Sequence, residues 1–84
     1  AALESLTRVM ARSFAPVIRV NSIAPGLVLP SKDMDSVEWE RLIGRLPLKR
    51  SASLNEIGQA VTFLMQNEYI TGQTIVVDGG YQLL

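Results

Sequence analysis

Asn21-Ser22-Ile23-Ala24-Pro25-Gly26 is a β-like run that breaks into a Pro-Gly turn, and about 50 residues later Gln73-Thr74-Ile75-Val76-Val77 does the same, running into Asp78-Gly79-Gly80. Short apolar or β-branched runs closed by turn residues read as buried strands, here Val17–Ile23 and Gln73–Val77, with Arg19 the awkward residue in the first. Two strands separated by helical patterns point to a parallel sheet in an α/β architecture. Two strands do not make a core, so the rest of the sheet has to come from elsewhere.

Working outward, Leu3, Leu6, Met10 and Phe14 recur at helical spacing ahead of Pro16, and Glu4 stands one turn before Arg8. No N-cap residue precedes Ala1, so the pattern is already running at the first residue, as expected of a helix cut from a longer one. Between the strands, Asp35 followed by Glu38 at the third position predicts a short helix over Ser36–Ile43, and Leu46-Pro47-Leu48 breaks it. Ser53-Leu54-Asn55-Glu56 is a capping box, followed by an apolar face of Ile57, Ala60, Val61, Leu64 and Met65 up to about Gln66 or Asn67.

Composition excludes several function classes. The 84 residues contain no cysteine and no histidine, which rules out disulfides, Cys/His zinc sites and histidine acid–base chemistry within this segment. Eight basic and eight acidic side chains cancel and are scattered, so no nucleic-acid surface is expected. Hydrophobic content is 48%, but no apolar run approaches the roughly 20 residues of a membrane span. A soluble, cytoplasmic protein is the expectation. A domain this small hides only about 60% of the surface its unfolded chain exposes, which leaves little stability to spare.

With Asn21–Gly26, Thr71-Gly72 and Val77-Asp78-Gly79-Gly80 in this order and spacing, the whole chain resembles the C-terminal part of the short-chain dehydrogenases/reductases. Ala1-Ala2-Leu3 with Leu6-Thr7-Arg8 looks like the continuation of that family's Tyr-x-x-x-Lys helix. The resemblance implies that residues 1–84 are the C-terminal piece of one doubly wound, Rossmann-like oxidoreductase domain, with its substrate loop at about 27–50. It places the catalytic tyrosine and lysine ahead of Ala1, so no catalytic residue is assigned within the chain. It implies NADPH as cofactor, with NADH left open because the residues that choose between them lie upstream. It also implies a homotetramer, with helices 1–14 and 53–66 at subunit contacts.

In open α/β sheets ligands sit beyond the carboxyl ends of the strands, which is where Pro25-Gly26 falls. The resemblance assigns Pro25, Gly26 and Val28 to the cofactor, Val28 through backbone groups on the nicotinamide carboxamide. The family commonly has a threonine two residues after the Val28 position; Pro30 stands there, so no hydroxyl contact to the diphosphate is assigned. Leu27 to Met34 and then Trp39-Glu40 resemble the substrate loop of the pteridine reductases, which implies Leu29, Pro30, Met34 and Trp39 as walls of a pterin pocket. Pro47-Leu48 and Tyr69-Ile70-Thr71-Gly72, with Asp78-Gly79-Gly80-Tyr81, resemble that subgroup as well.

The expected reaction is reduction of a pterin or dihydrofolate-type substrate by hydride transfer. Two alternatives stand beside it: a ketoreductase acting on 3-oxoacyl thioesters or another carbonyl, and a non-enzymatic interaction module that folds alone. Asp33, Asp35, Glu38 and Glu40 read as solvent-facing caps, not as an acid pair. Asp78-Gly79-Gly80 reads as a strand closure, without the further oxygen ligands a metal needs. Lys49 and Arg50 read as a solvated loop pair.

Overall fold

A computed structural model describes residues 2–84. The chain forms α1 (Ala2–Phe14), β1 (Ser22–Pro25), α2 (Ser36–Arg45), α3 (Leu54–Gln66), β2 (Thr74–Val77) and a terminal 3-10 turn over Tyr81–Leu83. The two strands pair in parallel, with Ser22 opposite Thr74 and Pro25 opposite Val77. The parallel α/β reading holds. What the sequence says of Ala1 lies outside the described residues.

α1 ends at Phe14, ahead of a cis Ala15–Pro16 bond. Its buried stripe is made of small residues: Thr7 and Ala11 are covered, while Leu3, Leu6, Met10 and Phe14 stay exposed. Thr7 is satisfied inside the helix, its hydroxyl donating to the Leu3 carbonyl at 2.7 Å. Ala11 faces the turn at Gly72, where a Cβ would sit 3.4 Å from its own.

The first strand is shorter and later than expected, Ser22–Pro25 in place of Val17–Ile23, and the second is Thr74–Val77 in place of Gln73–Val77. The ladder can run only as far as its partner does. Upstream of it, side chains join two backbone bonds, Ser22 N to the Gln73 carbonyl at 2.9 Å and Gly72 N to the Val20 carbonyl at 2.8 Å: Thr71 Oγ1 accepts from Val20 N at 3.2 Å, and Asn21 donates to the Ile70 carbonyl at 2.9 Å and accepts from Gln73 N at 3.0 Å. A hydroxyl pair, Ser22 Oγ and Thr74 Oγ1 at 2.7 Å, locks the register on one face. Pro25 is tolerated as the last paired residue because its missing N–H falls at the ladder's end; Gly26 N supplies the next bond, to the Val77 carbonyl at 3.0 Å.

α2 starts as expected, Asp35 Oδ1 accepting from Glu38 N at 2.7 Å, and runs two residues past the expected end, to Arg45. Lys49, in the left-handed region at φ 60°, turns its Nζ onto the Gly44 carbonyl at 2.6 Å and so covers an otherwise open helix end. α3 has both halves of its capping box in place.

The covered core is small: among the described residues the buried apolar side chains are Ala11, Leu46 and Leu64, with Leu46 the most enclosed at 1% exposure. α3 packs on both strands and α1 on β1, whereas α2 packs closely on none of these elements. The Cα radius of gyration, 15.2 Å, exceeds the roughly 12 Å of a compact domain of this length. No described helix is long and apolar enough to cross a membrane.

Candidate functional site at the carboxyl ends of the strands

Where β1 and β2 end, the chain closes on itself through glycines. A Cβ on Gly26 would meet Asp78 Cα at 2.7 Å, so only hydrogen lets the Pro25-Gly26 turn lie against the end of β2. Asp78 organises the next turn, one carboxylate oxygen accepting from Gly80 N at 2.9 Å and the other from Gln82 N at 3.1 Å. The expectation that Asp78-Gly79-Gly80 closes the strand is met, with Gly79 and Gly80 at φ 62° and 93°. Among the described residues no cluster of acidic, Cys or His side chains could hold a metal.

These turns enclose a hollow of about 280 Å³, lined by Pro25, Gly26, Leu27, Asp78, Tyr81 and Gln82 among others. Tyr81 entered the sequence reading only within Asp78-Gly79-Gly80-Tyr81, and Gln82 did not enter it; the signal for Gln82 was Asp78, a capping residue placed two and four positions ahead of the amides it holds. Two of the expected cofactor residues, Pro25 and Gly26, therefore share this hollow. Val28, Leu29, Pro30, Met34 and Trp39 do not line it. Val28 is half-buried just beyond it, and among the described residues neither its N–H nor its carbonyl has a protein hydrogen-bond partner. Leu29 is 72% exposed, Pro30 is exposed, and Met34 closes a tight turn on the Ser31 carbonyl at 3.2 Å. Trp39 is half-buried on α2.

Arg50 and Glu56 form a two-pronged ion pair, with Nη2 and Oε2 2.6 Å apart, beside the same edge. Hydrogen bonds from Arg50, and next from Ser53 N, hold the Glu56 carboxyl down at about 2. The sequence reading left Lys49 and Arg50 solvated; both have defined partners.

The family profile described as enoyl-(acyl carrier protein) reductase matches residues 1–82. Carbonyl reductase family member 4 of Danio rerio is 44% identical over 85 residues, covering 100% of this chain and 35% of that protein. Dihydromonapterin reductase of Klebsiella pneumoniae is 34% identical over 83 residues, covering 99% of this chain and 35% of that protein. Among solved structures, FolM alternative dihydrofolate reductase 1 from Brucella suis, in complex with NADP, matches with a TM-score of 0.93 at 46% identity, over 99% of this chain and 34% of that one. The chain thus spans about a third of the length of the curated relatives it matches.

Proposed function

The chain belongs to the short-chain dehydrogenase/reductase family, and from that premise we propose that it forms the nicotinamide wall and substrate side of an NADPH-dependent reductase acting on a pterin or dihydrofolate-type compound. The observation that carries the reading is Val28: a half-buried residue beside the strand ends whose backbone donor and acceptor are both unspent. A carboxamide offers one acceptor and one donor group to match them, and the Gly26 close approach leaves the Pro25 turn free to lie alongside. The residues present thus fit the amide end of a nicotinamide cofactor, which when bound supplies the hydride.

Pro25 and Gly26 shape the wall, and Val28 orients the ring through the backbone so that its side chain matters little. Leu29, Pro30, Met34 and Trp39 offer apolar surface to a flat substrate, Trp39 from α2, which packs closely on none of the other helices or strands. The proton donor and its supporting lysine belong to the family's Tyr-x-x-x-Lys motif, which these 84 residues do not contain. The whole protein is proposed to be a cytoplasmic homotetramer.

A second reading, reduction of a carbonyl such as a 3-oxoacyl thioester, is supported by the 44% identity to a carbonyl reductase, which stands beside the 46% to FolM alternative dihydrofolate reductase 1. Turnover of dihydrobiopterin or dihydrofolate and of a 3-oxoacyl thioester by the full-length protein with NADPH separates the two. Efficient ketone reduction with no pterin or folate turnover rejects the first reading and keeps the second.

A further inference from the structure

The Arg50 guanidinium grips both oxygens of Glu56, Nη1 to Oε1 at 2.8 Å and Nη2 to Oε2 at 2.6 Å. The same carboxylate accepts from Ser53 N at 2.9 Å and Ser53 Oγ at 3.1 Å, so it is fixed to the first turn of α3 as well. Residues 48–52 are thereby strapped to that helix. The strap reaches the strand ends through two backbone bonds, Ala52 N to the Leu27 carbonyl at 3.0 Å and Leu48 N to the Gly79 carbonyl at 3.1 Å. A cavity of about 80 Å³ lies beneath it, between Leu27, Ala52, Val77 and Gly79. Leu27 directly precedes Val28.

We infer that Arg50 and Glu56 are positioning residues for the nicotinamide wall: the pair holds Ala52, Ala52 holds Leu27, and Leu27 sets the place of the Val28 backbone. The inference rests on the reading of Val28 as the carboxamide contact. An ion pair at a solvent-open site contributes little to global stability, so its value here is geometric. The planar fork admits one arrangement of the strap, whereas a single-point lysine contact admits many. Hydride transfer is sensitive to such placement, with misalignment by about 1 Å costing as much as a hundredfold.

The test uses the full-length protein and NADPH binding followed by cofactor fluorescence. Arg50→Met leaves the Ser53–Glu56 cap intact and is expected to weaken NADPH binding about tenfold, with faster exchange of the Ala52 amide and a melting shift of no more than about 2 °C. Arg50→Lys is expected to recover part of the loss, to about threefold, because charge returns without the fork. Arg19→Met, at the far end of α3 and outside the strap, is the structural control: it lowers the melting point while leaving NADPH affinity unchanged. Arg50→Met within twofold of wild type overturns the inference and leaves the reductase reading standing. So does Arg19→Met weakening NADPH as much as Arg50→Met, since Arg50 would then act only through the fold. A wild-type protein that binds no NADPH overturns the reductase reading itself.

Discussion

Arg19 reaches 45 positions along the chain to donate from Nη1 to the Leu64 carbonyl at 2.9 Å. Its Nη2 takes the Met65 carbonyl at 3.1 Å, and Nη1 also lies 3.3 Å from the Ile70 carbonyl. Leu64 and Met65 sit in the last turn of α3, where carbonyls have no partner within the helix and the dipole favours a cation. The residue that looked out of place beside a strand is the C-terminal clamp of a helix.

Replacing Arg19 with Met is therefore expected to destabilise the full-length protein by about 2 to 3 kcal/mol, the scale of losing charge-assisted bonds and stranding their acceptors. Lysine should recover under half of that, having one point of attachment where the fork has two. Denaturant unfolding gives the number; a loss below about 0.5 kcal/mol for Arg19→Met would show the carbonyls finding water at no cost.

Two glycines should respond with opposite signs. At Gly80, with φ at 93°, a Cβ would lie 2.5 Å from Pro47 Cγ, so Gly80→Ala combines a left-handed penalty with overpacking and is expected to cost about 2 to 4 kcal/mol. At Gly44, inside α2, a Cβ meets nothing within 4 Å, and Gly44→Ala is expected to stabilise by about 0.5 to 1 kcal/mol through helix propensity. Thermal or urea melts of the two variants check the pair, and equal signs would refute the packing account.

The Glu56 carboxyl is held at about 2, below the usual 4.5, chiefly by Arg50 hydrogen bonds and then by Ser53 N. A folded-state value below the unfolded one means the stabilisation is complete above about 4.5 and is lost as pH falls through about 2. The strap is thus expected to stay closed at pH 4, where a carboxyl at the usual 4.5 is mostly protonated. A carbon-detected titration of Glu56 should show a midpoint well under 3, and Arg50→Met should bring it back toward 4.5. A wild-type midpoint near 4 would contradict the geometry.

Expressed alone, the 84 residues are expected not to form a stable monomer. Burial of Ala11, Leu46 and Leu64 cannot offset the ordering of a chain whose α1 leaves Leu3, Leu6, Val9 and Phe14 in solvent. Sedimentation and hydrogen exchange check this; a monodisperse, protected monomer would instead support the interaction-module alternative.

What was legible in the sequence is what local chemistry fixes. Ser53 and Glu56 announce a helix start because their reciprocal bonds span three residues, and Asp35 does the same with Glu38. The Pro25-Gly26 break needs no partner to be read, and a turn at the carboxyl end of a parallel strand carries its own functional expectation. Strand limits were not legible, because where β1 begins depends on how far β2 extends, 52 residues away. Arg19 and Arg50 were missed for a related reason: a lone cation has no periodicity, and its meaning lies in carbonyls or a carboxylate that only folding brings near. The segment from Leu27 to Met34 has neither repeat nor cap, so its reading came from resemblance alone.

Trp39 offers the sharpest separation of substrate contact from packing. It is half-buried on α2, and α2 packs closely on none of the other helices or strands, so the indole is not a keystone of the described core. Trp39→Ala in the full-length protein is therefore expected to leave unfolding within about 1 kcal/mol of wild type. If the indole walls the pterin, kcat/KM for dihydrobiopterin should fall by the equivalent of about 1 to 3 kcal/mol, the scale of one lost apolar wall, while NADPH affinity stays put because Val28 acts through its backbone. Met34→Ala should move the same way by less, a flexible thioether being easier to replace by rearrangement than a rigid ring. Steady-state kinetics with saturating NADPH, beside a melt of each variant, give both readouts. Full pterin turnover in Trp39→Ala, or a loss matched by an equal loss of stability, assigns Trp39 to packing and removes it from the site.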